Sequence, residues 1–120
     1  MKHIAPFLRR IALLAGVAAT AALPLNAHST DYEVVKSVTR LYSYNIAPVD
    51  GHVTFLVDSP PGSCVAFWID PSSAGFKNSY ALLLSAYHTQ APVRIIAVDT
   101  QQWPGSTSQT YCKVTILALD

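Results

Sequence analysis

Residues 64–98, CVAFWIDPSSAGFKNSYALLLSAYHTQAPVRIIAV, predict one helix between two strands. The apolar run at residues 64–69 predicts a strand that is buried on both faces or lies under a helix. Phe67 and Trp68 are neighbours, so their rings must point to opposite faces of the sheet. We expect one ring to meet the helix and the other to meet a second layer or a partner subunit.

The helix follows a turn in which Asp70 offers an N-cap and Pro71 a helix-compatible proline. Apolar side chains then recur at helical spacing, at Phe76, Tyr80, Leu83, Leu84 and Tyr87. Pro92 restricts the residue before it and cannot continue the turn, so the helix must end by about Gln90. Val93–Val98 is then a strand.

The flanking sequence predicts three more strands. Residues 32–44 have strand composition with one slip in their alternation, which indicates a bulge. A turn with Asp50-Gly51 leads to a strand at residues 52–57, and a polar loop at 99–110 leads to Tyr111–Leu119. We therefore predict an α+β or mainly β fold, an OB-like five-stranded small barrel with one helix between the third and fourth strands. A ferredoxin-like sandwich would need a second helix, for which no pattern exists.

Residues 1–27 have the order of a signal peptide, with Lys2, Arg9 and Arg10 before an apolar run of about thirteen residues. A membrane-spanning helix needs roughly twenty residues, so an anchor is the weaker interpretation. The Arg9-Arg10 pair also allows a twin-arginine signal. We predict cleavage between Ala27 and His28, a secreted or periplasmic location, and no integral membrane segment in the mature form. Residues 28–120 would then form a single OB-like domain.

The charge balance excludes one class of partner. The whole chain of 120 residues carries +1, from eight Lys plus Arg and seven Asp plus Glu. Removing the leader leaves 93 residues with five basic and seven acidic side chains, a net charge of −2. Without a basic excess or run, we expect no nucleic-acid binding.

Cys64 and Cys112, the two cysteines, both lie in the exported part, where oxidation is permitted. We predict that they form a disulfide. A metal site or a catalytic thiol is disfavoured, since neither cysteine has a His or Cys at ligand spacing.

Motifs for catalysis are absent from the sequence. It contains no H-E-x-x-H, G-x-S-x-G or phosphate-binding glycine loop. Asp58, Asp70 and Asp99 flank predicted strand ends, where carboxylates cap turns more often than they form a glycosidase pair. We predict a protein that is not an enzyme, with no catalytic residue, metal site or cofactor.

Aromatic and amide side chains give the candidate ligand-binding site. Trp103 lies in a loop with Thr100, Gln101, Gln102 and Ser106, and these groups can hold a neutral polar ligand such as a sugar. Alternatively, Trp103 packs back as the plug of a small barrel. Tyr42 and Tyr44 share a face of one strand and form either a second platform or part of the core.

The stretch from Cys64 through the aromatic helix to residues 92–95 (Pro-Val-Arg-Ile), with Trp103 eight residues later, resembles a known family. It is similar to the pentameric receptor-binding B subunits of subtilase-cytotoxin and typhoid-toxin type. It is also similar to small exported proteobacterial proteins of unassigned role. The toxin resemblance implies an OB-fold, a homopentamer, a partner A subunit and binding of sialylated cell-surface glycans.

Two departures from the toxin family matter. Its glycan contacts include a Tyr where this chain has Ala97, and an Asp and Ser that residues 32–35 do not reproduce. No glycan-contact residue is carried over. We expect an exported binding protein that recognises glycans or, alternatively, a protein-protein interaction module using Trp68, Tyr42 or the last strand.

Overall fold

In a computed structural model, the described residues 30–120 form six strands and one helix. The predicted leader, residues 1–27, lies outside the described residues. In chain order the elements are β1 (Asp31–Lys36), β2 (Val38–Ser43), β3 (Val53–Val57), β4 (Ala66–Ile69), α1 (Phe76–Thr89), β5 (Val93–Val98) and β6 (Tyr111–Leu119).

The strands form one sheet in the order β1-β5-β6-β4-β3-β2. All neighbours are antiparallel except β4 and β6, which are parallel. The predicted mainly β fold with one helix is confirmed. The sheet has six strands rather than five and is not a closed barrel, since β1 and β2 are its two edges.

The additional strand arises at Ser37, where the predicted strand at residues 32–44 divides into β1 and β2. The Ser37 N–H donates to Asp58 Oδ1 over 2.9 Å, and the Asp58 N–H donates to the Ser37 carbonyl over 3.2 Å. The chain therefore leaves β5 and pairs with β3. A register shift between Val38 and Arg40 follows the break. Both halves have strand composition, so the sequence pattern continues across a change of partner.

The helix begins later than its predicted cap. Its N-cap is Gly75, with no side-chain hydrogen bond, so the assignment of Asp70 as N-cap is wrong. Asp70 Oδ1 instead accepts hydrogen bonds from the Ser72 N–H (2.9 Å) and the Ser72 hydroxyl (2.7 Å), which closes the preceding turn. The helix ends at Thr89, followed by Gln90 at φ 56°, as Pro92 predicts.

The main core lies between α1 and one face of the sheet. Phe55, Phe67, Leu83 and Ile95 are fully buried there. The predicted disulfide is confirmed, because Cys64 and Cys112 are bonded, with their Cα atoms 5.6 Å apart, inside this core. It links the segment before β4 to β6. Within residues 30–120, the helix is too short and insufficiently apolar to cross a membrane.

Candidate ligand-binding site

A second cluster of aromatic side chains lies on the face of the sheet opposite the helix. Phe67 points into the main core, so the next residue, Trp68, points to the other face, as predicted. Strand register places Tyr42, Thr54, Trp68 and Lys113 in one row across four strands. Trp68 is nevertheless only 5% exposed. The chain must therefore cover this face as well.

Two loops provide this cover, residues 44–52 between β2 and β3 and residues 99–110 between β5 and β6. We define the outer aromatic cluster as Tyr44, Val49, Trp68, Trp103 and Tyr111. The Trp103 ring centroid lies 4.9 Å from that of Tyr44 and 5.1 Å from that of Tyr111. Trp103 is 6% exposed and forms the centre of the cluster. The two loops therefore pack against each other through these rings.

Two indole hydrogen bonds attach the 99–110 loop, one to β4 and one to the 44–52 loop. The Trp68 Nε1–H donates to the Gln101 carbonyl over 3.0 Å, and the Trp103 Nε1–H donates to His52 Nδ1 over 3.1 Å. The His52 ring stacks on Trp68, with centroids 5.7 Å apart and planes 9° apart. An indole Nε1–H can only donate, so His52 Nδ1 is the acceptor in this contact. Local sequence pattern does not predict this contact, because His52 and Trp103 are 51 positions apart.

Lys113 adds an electrostatic contact to the same loop. Its Nζ donates to Asp70 Oδ2 over 3.3 Å and to Gln101 Oε1 over 3.0 Å, and lies 5.4 Å from the Trp68 ring centroid. The Ser72 hydroxyl and N–H, followed by Lys113, hold the pKa of the Asp70 carboxyl below its usual range. The ion pair therefore involves a carboxylate that is ionised at neutral pH.

A shallow depression lies beside Trp103 on the outer side of the loop. Its volume is about 150 Å³, and it adjoins a second depression of about 270 Å³ that shares the polar residues 106–109. Trp103 and Tyr111 line one side of the first depression. Burial, together with the neighbouring phenols of Tyr44 and Tyr42, raises the pKa of Tyr111. The lining of the depression thus includes two aromatic rings together with the hydroxyl and amide groups of residues 106–109.

Gly105 determines how closely the loop approaches the indole. A Cβ atom added at Gly105 would lie 2.5 Å from two ring carbons of Trp103, closer than a real contact allows. The Ser106 hydroxyl then donates to the Gln109 carbonyl and closes the tip of the loop. A residue without a side chain is needed here, so that the backbone can form the floor of the depression against the Trp103 ring.

The structure brings the three predicted ligand-binding residues into one region but gives them different surroundings. Trp103 packs back onto the sheet, as the alternative interpretation expects, and still lines the depression. Gln102 lines the second depression, while its side chain donates to the Asp99 carbonyl and accepts from the Tyr111 N–H, each over 3.2 Å. Gln101 faces Lys113. Their ligand-binding role stays a prediction.

The lining residues that sequence reasoning missed are Thr107, Ser108 and Gln109, whereas Ser106 was among the expected polar groups. The available signal was the Ser- and Thr-rich run that follows Gly105, which reads as an ordinary polar loop. Nothing in that local pattern shows that its backbone lies against an indole ring. The lining of the depression was therefore predictable in location but not in composition.

The three aspartates considered for catalysis each serve a local contact. Asp58 binds Ser37 and Asp70 binds Ser72, while the Asp99 carboxylate accepts from the Thr30 N–H (3.4 Å) and the Tyr32 hydroxyl (3.5 Å). Within residues 30–120, no three His, Cys, Asp or Glu side chains lie together in a way that could hold a metal ion.

No protein-family model and no curated protein matches the chain.

Proposed function

We propose that this chain is an exported, non-enzymatic binding protein that recognises glycans at the depression beside Trp103. The observation that carries the proposal is the pairing of an aromatic side, Trp103 and Tyr111, with the hydroxyl and amide groups of residues 106–109. Aromatic faces pack against the C–H groups of a sugar ring, while hydroxyls and amides bind its hydroxyl groups. The site lies on a loop that is held by two indole hydrogen bonds, one from Trp68 of β4 and one to His52 of the 44–52 loop.

The sheet order supports an OB-like fold. The edges β1 and β2 are consecutive in the chain, separated by Ser37, so they can be interpreted as two halves of one bent first strand. Under that interpretation, residues 44–52 join the first and second strands, and residues 99–110 join the fourth and fifth. OB folds bind oligosaccharides and oligonucleotides at these two loops and on the face of strands two and three. The outer aromatic cluster occupies this position.

The resemblance of residues 64–95 to toxin B subunits supports a homopentamer and a partner A subunit. Exposed apolar side chains outside the depression fit such an assembly. On α1, Leu84 is 43% exposed and Tyr87 40%, although the helical spacing predicted both in the buried stripe. The sheet adds Ile116, which is 53% exposed on β6. The apolar stripe of α1 is therefore wider than the part of the helix surface that packs on the core.

These same side chains favour the alternative, a protein-protein interaction module without glycan binding. Of the residues that sequence reasoning assigned to a partner, Tyr42 is exposed, and the last strand exposes Ile116 and Leu119. Trp68 is buried under the chain's own loops, so its predicted contact with a partner is wrong. The alternative therefore uses the exposed side chains of α1 and of the second half of β6, none of which lines the depression.

A glycan array with matched variants distinguishes the two functions. Ser108→Trp fills the depression, and Leu84→Ser removes an apolar side chain from the exposed side of α1. The proposal expects binding by the unaltered protein and by Leu84→Ser, and loss of binding by Ser108→Trp. Absence of binding by correctly folded protein contradicts the proposal. Light scattering with size exclusion then tests the pentamer.

A further inference from the structure

The surface of the two depressions carries no formal charge. Every lining residue falls within residues 102–111, which read QWPGSTSQTY and contain no Asp, Glu, His, Lys or Arg. Their side chains offer amide and hydroxyl groups together with two aromatic rings. A ligand with a carboxylate or phosphate would meet no cation here.

The nearest charged residues in sequence face other groups. Asp99, before the lining segment, accepts hydrogen bonds from Thr30 and Tyr32 near β1. Lys113, after it, donates to Asp70 and Gln101 and lies over the Trp68 ring. Moving the Lys113 ammonium to the depression would break both of these hydrogen bonds. The lining of the site is therefore uncharged, and the charged residues nearest to it in sequence make contacts elsewhere.

From this lining we infer that the ligand is an uncharged saccharide. This inference rests on the proposed function and makes it narrower. Proteins usually bind carboxylates and phosphates through charge-assisted hydrogen bonds from Arg or Lys, and removing a charged group from water without such a partner is costly. The bound saccharide is thus neutral, unlike the sialic acid that the toxin resemblance implies.

The test uses an array on which each sialylated glycan is printed beside its desialylated partner. The expected result is binding to neutral members that changes less than about twofold between 50 and 500 mM salt, since a neutral ligand has no ionic attraction to screen. Binding confined to sialylated members overturns the inference and leaves the proposed function standing. Absence of binding to both members overturns the proposed function and the inference with it.

A charge placed in the lining gives a second readout. Thr107 lines the depression and is exposed, so Thr107→Lys should fold normally and raise binding of sialylated over neutral glycans by up to about fivefold. Thr107→Glu should lower that ratio. The control, Ser85→Lys, places the same charge on exposed α1, against the other face of the sheet, and should change neither. An unchanged ratio in both Thr107 variants overturns the inference.

Discussion

The hydrogen bond from Trp103 to His52 should be a main attachment of the 99–110 loop, and His52→Phe removes it selectively. Phenylalanine retains a ring that can stack on Trp68, where the imidazole now lies at 5.7 Å. It has no nitrogen to accept the Trp103 N–H. Because Trp103 is 6% exposed, this N–H would be left without a partner in a mostly dry cluster.

The expected loss follows from two contributions. A net hydrogen bond contributes about 1 kcal/mol, and a buried donor left unpaired costs about 1–3 kcal/mol. We therefore expect His52→Phe to lower the free energy of unfolding by about 2 kcal/mol. Trp103→Phe removes the same N–H along with part of the ring packing. In the double variant the bond is lost only once, so the two changes should fall short of additivity by about 1 kcal/mol or more.

The assay is urea unfolding followed by far-UV circular dichroism, which does not depend on the tryptophan that one variant lacks. A constant slope against urea is required for the comparison. His88→Phe is the control, since His88 is exposed in the last turn of α1 and its replacement should cost well under 1 kcal/mol. The reasoning is refuted if the coupling is zero within about 0.3 kcal/mol and His52→Phe costs no more than His88→Phe.

Three further changes test other contacts by the same unfolding measurement. Replacing Cys64 and Cys112 together by Ala opens a loop with a sequence separation of 48 and should cost up to about 4 kcal/mol, and an unchanged stability would argue against the bond. Gly105→Ala should cost about 1–3 kcal/mol because its Cβ meets the Trp103 ring. Gly75→Ala, which meets nothing within 4 Å, should stay within about 0.5 kcal/mol, and equal effects would contradict the close approach. Thr54→Val should stabilise by about 1 kcal/mol, since the buried Thr54 hydroxyl has no hydrogen-bond partner among residues 30–120, and a loss would reveal one.

Local elements were predictable because they depend on neighbouring residues. Alternation and strand composition predicted Val93–Val98 and Tyr111–Leu119 with their observed bounds, and Pro92 predicted where α1 ends. The division at Ser37 was not predictable, because it depends on Asp58 and on two strands far away in the chain. Local pattern shows that a segment is extended, and it does not show which strand the segment pairs with.

The site was predictable only in part, for the same reason. The loop around Trp103 stood out by composition, but the burial of its ring depends on contacts with His52 and Tyr44, which belong to a different loop on the same face of the sheet. The amides of Gln101 and Gln102 looked suited to a ligand, whereas both make hydrogen bonds within the fold. Helical spacing placed Leu84 in the apolar stripe of α1, but Leu84 is exposed because the stripe is wider than the surface that packs on the core.

The most direct test of the central claim is a nuclear magnetic resonance titration of the ¹⁵N-labelled protein with a panel of neutral mono- and disaccharides. We expect one or more sugars to shift the amide signals of residues 105–109 and Tyr111 together with the indole N–H signal of Trp103. Signals that move around Leu84 on α1 while residues 105–109 stay unchanged would contradict the account, as would the absence of a shift with every sugar.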